Sequence, residues 1–567
     1  MHHLALHPQC GICTDMMFRH ERVIAFFGNG NSTSYHGQTR PFLFPDVQHT
    51  ITTVDGFRLC RYPNCKTCAA SPHFIPVHYE CFNIFRHYCT DAPDALDRLW
   101  TAAAWRIPWQ GARPVHLPGY RLDITSLKEL SRVCQLSQLC KLPPELLSII
   151  QGYSEHALFW RAVSAHSFAA RILSSSPEPL LTMSLGDILF WKRGGKPEKR
   201  RNDYPPGVSL VRFTIDSDGI SKIERVSSHV FKEGPRNGFA YIVEQERKIA
   251  KFAAQLKDGL LRLDLPPGQP NPRIWNTPDP PDLFLCTPYI SSYPSWQRFF
   301  AIDTGCISGI TFFFSLGRLV GIHPHYSNAL DAMPTYRRFS HRRRRSLIWA
   351  FQPIAKHDRL LVLGTRESLQ GDFNVLIRTE QAGDVAIGPY IPIPARDRCL
   401  GWRPPISLIY NEPIEGHEIS FLGAYCGLPR KMELPKPFAV ERLRSNPLGE
   451  HAHLSRAPLT DVASAEIFYD EETQYCRGIM FRYHDGACRV VGQCRVHVDA
   501  TKRVSRPLRF CYRIDTRHLC RQVVHSAQVT LQKGPCHRHN EGWNCHQFDG
   551  MLNFWFTADS SFITIEN

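Results

Sequence analysis

Three closely spaced pairs of cysteine and histidine residues in the first 90 positions constrain this 567-residue chain more than any other feature. The pairs are Cys10 with Cys13, Cys65 with Cys68, and His78 with Cys81. In each pair a spacer of two residues lets a tight turn present both donors to one tetrahedral ion, the arrangement that structural zinc sites use. The spacing therefore predicts a small zinc-binding module over residues 1–90.

Six donors do not divide into sets of four, so the sequence leaves the ligand set open. We favour the set that joins the outermost pairs and closes the whole module around one ion: Cys10, Cys13, His78 and Cys81. The competing set keeps the second pair instead: Cys65, Cys68, His78 and Cys81. A second ion would need further donors, such as Cys60, His87 or Cys89. We expect one or two structural zinc ions as the cofactor, because four protein ligands leave no open position for a catalytic water.

Residues 91–172 carry apolar side chains at helical spacing and predict a short helical segment. One predicted face contains Leu96, Leu99 and Trp100, and a second stripe contains Leu127, Leu130, Val133 and Leu136. Both stripes have the spacing of amphipathic helices that bury one side.

Within this segment, residues 142–150 read Leu-Pro-Pro-Glu-Leu-Leu-Ser-Ile-Ile. Proline in the first helical turn costs no hydrogen bond, because the amides there have no intrahelical partner. The stretch Leu142 to Arg161 resembles the opening of an F-box, the helical motif by which substrate receptors dock on cullin-type ubiquitin ligases. Residues 164–171 depart from the motif. The resemblance implies a ubiquitin-ligase adaptor as partner, and the alternative is an amphipathic helix that packs on its own neighbours.

From residue 185 onward the pattern changes to short alternating segments separated by turn residues. Val211, Phe213 and Ile215 alternate with polar residues before the turn at 216–219, which predicts a β-hairpin. Residues 265–282 are rich in proline and predict a linker between two β-rich domains, at 185–264 and 283–567. The predicted fold class is a multidomain α+β protein with a zinc module, a helical segment and antiparallel β-rich domains of sandwich or prism form.

An internal repeat lies in the last domain, where Gly309 to Gly317 matches Gly478 to Gly486 in its glycine, isoleucine and aromatic positions. Each copy predicts a strand, a glycine turn and a return strand. The segments Ile310 to Val320, Phe373 to Gly388 and Ile419 to Gly423 resemble jacalin-like lectins, which implies carbohydrate binding as a class. The whole arrangement resembles uncharacterised multidomain proteins of filamentous fungi.

The chain has 67 Lys and Arg against 52 Asp and Glu, a formal net charge of +15. Six arginines lie within residues 337–345, which leaves nucleic-acid binding through Arg342 to Arg345, or nuclear import, as an alternative to the solvated loop that we favour. We expect no signal peptide, because residues 1–8 lack a basic n-region and a long apolar core, and the longest uncharged apolar stretch, 14 residues, is too short for a bilayer about 30 Å thick. We expect an intracellular protein, cytoplasmic or nuclear, without a membrane partner.

The last 60 residues contain further thiol and imidazole donors: Cys511, Cys520, Cys536, His537, His539, Cys545 and His546. A second metal site there is an alternative to the closing pair of packed strands that we favour. Adjacent donors such as Cys545 and His546 are unsuited to one ion, because neighbouring side chains on a strand point to opposite faces.

The sequence contains none of the nucleophile, zinc-protease or phosphate-loop motifs that would predict catalysis. The leading hypothesis is therefore a non-catalytic recognition or adaptor protein that binds a protein partner. The alternatives are an F-box-type substrate receptor, a lectin-like protein and a nucleic-acid-binding protein.

Overall fold

The computed structural model divides the chain into two compact units, Met1–Pro280 with Gln297–Phe299, and Pro281–Trp296 with Phe300–Asn567. Strands predominate over helices, and most sheets are antiparallel. The residues that the structure describes are 2–28, 34–46, 52–62, 65–69, 71–117, 123–154, 157–199, 209–227, 238–266, 268–291, 297–326, 331–392, 394–427, 435–439, 446–519, 522–534 and 538–566.

Two small sheets organise the start of the first unit. In one, the edge strand His3–Ala5 pairs in parallel with Phe57–Cys60, which pairs antiparallel with Thr53–Val54. In the other, the apolar strand Arg22–Gly28 lies at the centre, and its antiparallel partners are Tyr35–Gln38, Phe42–Leu43 and His73–His78. This central strand contains the apolar run of residues 23–27.

Helices follow these sheets, as the period of the apolar residues predicts. The α-helices are Lys66–Ala69, Tyr79–Tyr88, Ala95–Ala104, Ile124–Val133, Pro144–Tyr153 and Leu158–Ser174, with a 3₁₀ turn at Ser137–Lys141. Leu99 and Trp100 are buried, as expected for the first stripe. The second stripe is only half buried: Leu127 and Leu130 face the interior, whereas Val133 and Leu136 are exposed because the helix ends at Val133.

The remaining strands of the first unit form a three-stranded sheet and a larger sheet. The three-stranded sheet contains Leu260–Asp264, Ala253–Lys257 and Leu181–Ser184. The strands that the larger sheet contributes to this unit lie in the order Glu198–Lys199, Ile188–Lys192, Gly219–Ser227, Ser209–Asp216, Ala240–Gln245 and Ile274–Trp275. The 3₁₀ turn Leu185–Asp187 and the short helix Glu246–Ile249 connect strands of these sheets. The predicted hairpin is confirmed as Ser209–Asp216 paired with Gly219–Ser227.

One hydrophobic core extends through the first unit, from Leu4 to Ile274, and joins the segments predicted as a zinc module, a helical segment and a β-rich domain. The hairpin turn makes one of the joins. Asp218 accepts a hydrogen bond of 3.1 Å from Nη2 of Arg106 and is also paired with Arg171. Gly219 has a φ of +99°, and a Cβ there would lie 2.4 Å from the carbonyl oxygen of Trp105, so glycine is required for this approach.

The prolines of residues 265–282 do not exclude regular structure from the whole segment. Ile274 and Trp275 are buried, and they pair antiparallel with Ile242 and Tyr241 and in parallel with Arg298 and Phe299. The linker prediction missed this short strand because its partners lie more than 20 residues away in the sequence.

Most strands of the second unit form three- and four-stranded antiparallel sheets around its own core, and four others belong to the larger sheet: Tyr289–Ile290, Arg298–Asp303, Ser407–Asn411 and Phe421–Tyr425. Its strands are Tyr289–Ile290, Arg298–Asp303 (which begins in the first unit), Gly309–Ser315, Arg318–His325, Leu347–Pro353, Leu360–Ser368, Phe373–Thr379, Gly383–Ile387, Ala395–Trp402, Ser407–Asn411, Phe421–Tyr425, His453–Pro458, Val462–Tyr469, Cys476–Tyr483, Cys488–Gly492, Ala500–Ser505, Arg509–Leu519, Gln522–Gln532, Asn544–Gln547, Met551–Phe556 and Ser561–Glu566. Short helical turns lie at Leu283–Leu285, Thr304–Cys306, Met333–Tyr336 and His341–Arg344.

Four of these sheets share one connectivity, in which the first strand pairs with the second in a hairpin and the last strand returns to the free edge of the first. The first strands are Gly309–Ser315, Leu360–Ser368, Val462–Tyr469 and Arg509–Leu519. Both hairpins of the predicted sequence repeat are present. The two copies nevertheless occupy different positions in their sheets. Gly309–Ser315 is the first strand of its sheet along the chain, whereas Cys476–Tyr483 is the second strand of its sheet.

The arginine-rich run is partly used within its own unit. Residues 341–344 form a helical turn, and Arg343 donates to the carbonyl oxygens of Gly416 and His417 at 2.9 and 3.2 Å. The Nε of Arg344 donates to the carbonyl oxygen of Phe339 at 2.8 Å. Among the described residues, no helix is long and apolar enough to cross a membrane.

Candidate metal centre

The first candidate centre lies where a loop, a strand end and a helix start meet in the first unit. Cys10 and Cys13 lie in the loop between the strands His3–Ala5 and Arg22–Gly28. His78 is the last residue of the strand His73–His78, and Cys81 lies in the first turn of the helix Tyr79–Tyr88. The strand-to-helix junction therefore aims both donors of the H-x2-C pair at the loop that carries the C-x2-C pair.

The four donor atoms of this inner cluster, Cys10, Cys13, His78 and Cys81, all lie within 4.8 Å of one another. Nδ1 of His78 is 3.4 Å from Sγ of Cys13 and 3.9 Å from Sγ of Cys81. In a tetrahedral site with Zn–S of about 2.3 Å and Zn–N of about 2.0 Å, neighbouring sulfur and nitrogen atoms are about 3.5 Å apart. The distances in the cluster thus match the edges of a zinc tetrahedron.

Backbone contacts fix the Cys10 turn in the form that the cluster needs. The amides of Ile12 and His78 both donate to Sγ of Cys10 at 3.4 Å, which favours a thiolate at this position. The amide of Gly11 donates to the carbonyl oxygen of Pro76 at 3.0 Å. A Cβ at Gly11 would lie 2.4 Å from the Ile75 side chain, so this glycine lets the loop lie directly on the strand.

A carboxylate orients the imidazole of His78 from the side opposite the thiols. Nε2 of His78 lies 3.3 Å from Oε2 of Glu21, and the same oxygen accepts the amide of Phe18 at 2.7 Å. Oε1 of Glu21 accepts from Nη2 of Arg161 at 2.8 Å. A metal-ligating histidine commonly donates its second ring nitrogen to such a carboxylate, which fixes the tautomer that leaves the other nitrogen free for the ion.

The surroundings of the inner cluster favour a thiolate at Cys10, whereas burial and the neighbouring thiols raise the pKa of Cys13, and the hydrogen bond with Cys10 raises that of Cys81. Burial opposes ionisation of Cys10, but hydrogen bonds from Cys13 and Cys81 and the charge of His78 outweigh it and hold the pKa of this thiol well below its usual value. Burial would lower the pKa of His78, but the Cys10 charge and hydrogen bonds to Cys10, Cys81 and Glu21 raise it to about 12. The cluster thus pairs a thiolate with a positive group, a role that a divalent cation can take over.

A second group of donors, the outer cluster, comprises His3, Cys60, Cys65 and Cys68, whose ligand atoms also lie within 4.8 Å of one another. Cys65 directly precedes the short helix Lys66–Ala69, which contains Cys68. Burial opposes ionisation of the Cys65 thiol, but the Cys68 amide and the side chains of His3, Cys68 and Cys60 together outweigh it and lower the pKa to about 6. Unlike the inner cluster, this group is only partly buried.

The structure brings together the donor set that the sequence placed first, and it separates the competing set. Cys65 and Cys68 lie with Cys60 and His3 rather than with His78 and Cys81. Two donors considered for a second ion lie in neither cluster: Cys89 is buried in the core, and His87 packs against the Tyr88 ring.

His3 is the donor that sequence reasoning missed. The nearest cysteine in the sequence, Cys10, is seven residues away, and only the parallel pairing of His3–Ala5 with Phe57–Cys60 brings His3 to the outer cluster.

Three of the C-terminal donors, Cys511, His539 and Cys545, form a third group within the same distance limit. Cys511 and Cys545 are directly opposite in antiparallel strands, whereas His546 stacks on the Tyr512 ring. Cys520, Cys536 and His537 lie outside the described residues. The closing strand pair expected here is confirmed as Met551–Phe556 with Ser561–Glu566.

No protein-family model matches the chain, and no curated protein matches it either. The chemistry of the site therefore rests on its donors. Three cysteines and one histidine at tetrahedral distances form a set that can hold a metal ion such as zinc.

Proposed function

We propose that this chain is a zinc-stabilised recognition protein that binds a protein partner and does not act as an enzyme. The observation that carries the proposal is the burial of the inner cluster, whose four donor residues are at most 4% exposed. Four protein ligands complete a zinc tetrahedron, and the surrounding core leaves no path for substrate to a fifth position. An ion there would stabilise the fold.

The inner cluster is placed where an ion would join distant parts of the first unit. Cys10 and His78 are separated by 68 residues, and Arg161 reaches the same centre through Glu21. An ion at this point would therefore tie the N-terminal loop, the strand His73–His78 and the helix Leu158–Ser174 together. Binding free energy at a site that exists only in the folded state contributes directly to folding.

Zinc content and stability test the structural part of this proposal. We expect Cys13→Ser to lose one equivalent of zinc per chain and to unfold at lower denaturant concentration than the wild type. Cys89→Ser is the matched control, because Cys89 is an equally buried thiol of the same core that belongs to no cluster among the described residues. If Cys13→Ser retained the zinc content of Cys89→Ser, the inner site would be disproved.

Cobalt substitution tests whether the ion is closed to ligands. In a Cys65→Ser background the inner cluster would be the intact one of the two N-terminal sites. We expect its cobalt(II) absorption spectrum to show tetrahedral sulfur coordination and to stay unchanged when azide is added. A spectrum that azide alters would reveal an open coordination position and would contradict the non-catalytic proposal.

A more specific candidate is an F-box-type substrate receptor, which is supported by the exposure of the helix Pro144–Tyr153. Leu147 is 2% exposed and packs in a small cluster with Leu127 and Trp160. Leu146 and Ile149, three residues apart on the same helix face, are 45% and 53% exposed. A helix that is anchored by one leucine and presents two apolar side chains to solvent has the form of a docking surface.

Binding to the adaptor of a cullin-type ligase tests this candidate. We expect the full chain to retain the purified adaptor in a pull-down, and Leu146→Asp to abolish the interaction. Leu369→Asp is the control, since Leu369 is also exposed but lies in a turn of the second unit. Equal retention by the two variants, or no retention by the wild type, would reject the receptor and leave the general recognition proposal to be tested with other partners. Carbohydrate and nucleic-acid binding stay predictions.

A further inference from the structure

We propose that the outer cluster, His3, Cys60, Cys65 and Cys68, is a second zinc site whose ion exchanges with solvent while the inner ion stays in place. This inference goes beyond the structural role proposed for the inner cluster and does not depend on it, because the two sets share no residue.

The geometry of the outer cluster is that of a complete tetrahedral site. Nδ1 of His3 lies 3.4 Å from Sγ of Cys65, close to the sulfur–nitrogen edge of about 3.5 Å in a zinc tetrahedron. Three sulfurs and one imidazole nitrogen form the same donor set as in the inner cluster. Zinc is the cation that such a set of soft donors selects among the divalent ions common in cells.

Hydrogen bonds connect the segments that carry the donors. The strand register places Ala5 opposite Cys60, and the amide of Leu6 donates to the Cys60 carbonyl oxygen at 2.8 Å. The amide of His3 donates to Oγ of Ser71 at 2.9 Å, and that hydroxyl donates to the carbonyl oxygen of Thr67 at 2.8 Å. These contacts connect the edge strand to the helix that carries Cys68.

Accessibility separates the two sites. All four residues of the inner cluster are buried, whereas in the outer cluster Cys60 alone is buried and His3, Cys65 and Cys68 are partly exposed. A chelator or a competing thiol ligand can therefore approach the outer donors from solvent, but it can reach the inner donors only after the core opens. Similar affinities would thus be accompanied by different rates of exchange.

The outer ion would act on the N-terminal strand. His3–Ala5 is three residues long and forms the edge of its sheet, so few backbone hydrogen bonds hold it. Coordination of His3 adds a link between this strand and the segment 60–68. Release of the ion would remove that link and leave the Cys65 and Cys68 thiols accessible.

Zinc release from the native, full-length protein tests the proposal. With 4-(2-pyridylazo)resorcinol as chelator and without denaturant, we expect the wild type to release one equivalent in a fast phase and to release the inner equivalent only when guanidinium is added. Cys65→Ser and His3→Ala should each lose the fast equivalent and keep the slow one. Cys13→Ser should lose the slow equivalent, which is a separate result that concerns the inner site alone.

Two controls decide what the fast phase represents. Cys134→Ser removes an exposed thiol outside the clusters and should leave both phases unchanged. Cys545→Ser alters the C-terminal group of donors and should also leave them unchanged. The proposal is overturned if Cys65→Ser and His3→Ala keep the fast equivalent, if Cys545→Ser removes it, or if the wild type has no fast phase.

Discussion

Substitution of the carboxylate that contacts His78 offers the most direct test of the ion proposed for the inner cluster. Glu21→Gln keeps the size of the side chain but replaces one of the two carboxylate oxygens with an NH₂ group, so one of the two acceptors is lost. Oε2 of Glu21 serves Nε2 of His78 and the amide of Phe18, and Oε1 serves Arg161. A glutamine that keeps the first pair of contacts must place its NH₂ group against the Arg161 guanidinium, which is itself a donor.

The expected loss follows from the role of this carboxylate as the partner of a metal ligand. Removal of such a partner typically lowers metal affinity by about 10–100-fold. This corresponds to about 1.4–2.8 kcal/mol of binding free energy, since each factor of ten is about 1.4 kcal/mol. At saturating zinc, the free energy of unfolding should fall by a similar amount, because the ion binds the folded state.

Competition of zinc between the protein and a chromophoric chelator measures the affinity, and denaturant unfolding with and without zinc measures its contribution to stability. Glu80→Gln is the matched control, since Glu80 is exposed in the first turn of the helix that carries Cys81. The comparison with and without zinc removes any effect of the lost Arg161 contact on the metal-free protein. If Glu21→Gln bound zinc as tightly as Glu80→Gln, the assigned role of this carboxylate would be wrong.

Three further predictions concern the two units. Burial, with a smaller effect of His451, lowers the pKa of the buried His453 from 6.5 to about 3. Between these values the unfolded state binds more protons than the folded state, so the free energy of unfolding should fall by about 1.4 kcal/mol for each pH unit from pH 6.5 toward 3. Denaturant unfolding of His453→Phe at pH 7 and at pH 5 should show a smaller loss of stability than the wild type shows. Asp218→Asn, which leaves Arg106 and Arg171 without their carboxylate, should destabilise the protein by about 3 kcal/mol in denaturant unfolding, whereas the exposed Asp187→Asn should have little effect. Gly219→Ala should be about 1–3 kcal/mol more destabilising than Gly56→Ala, because both have a positive φ but only Gly219 faces backbone within 3 Å; equal effects would contradict the packing argument.

Local sequence patterns were sufficient to predict those helices and hairpins that form through contacts between residues close in sequence. The hairpin at 209–227 was predictable because alternating apolar residues flank a turn rich in aspartate and glycine, and Asp216 accepts the amide of Asp218 at 2.8 Å as such turns do. The division of residues 1–264 into separate domains does not describe their shared core. That core depends on contacts such as Trp105 with Gly219, which no composition or spacing indicates.

The candidate metal ligands show the same difference between local features, which the sequence reveals, and long-range contacts, which it does not. The C-x2-C and H-x2-C spacings singled out six residues, since a turn that presents two ligands leaves a local signature. How the pairs combine is a property of strand pairing. Antiparallel pairing of Arg22–Gly28 with His73–His78 and the contact of Gly11 with Pro76 select the inner set, and the parallel strand at His3 completes the outer one.

Two clusters with one donor chemistry and different burial imply a division of roles within one small region. Donor type and geometry set the affinity of each site, and both clusters have three thiols and one imidazole at tetrahedral distances. Burial instead sets the rate at which an ion leaves, because escape from the inner site requires opening of a core that contains Phe26, Phe74 and Phe85. Under this proposal the outer site would therefore empty first when free zinc falls. The core would stay intact at that stage, and the change would be confined to the strand His3–Ala5 and the thiols of Cys65 and Cys68, so zinc availability would alter one edge of the first unit without unfolding it.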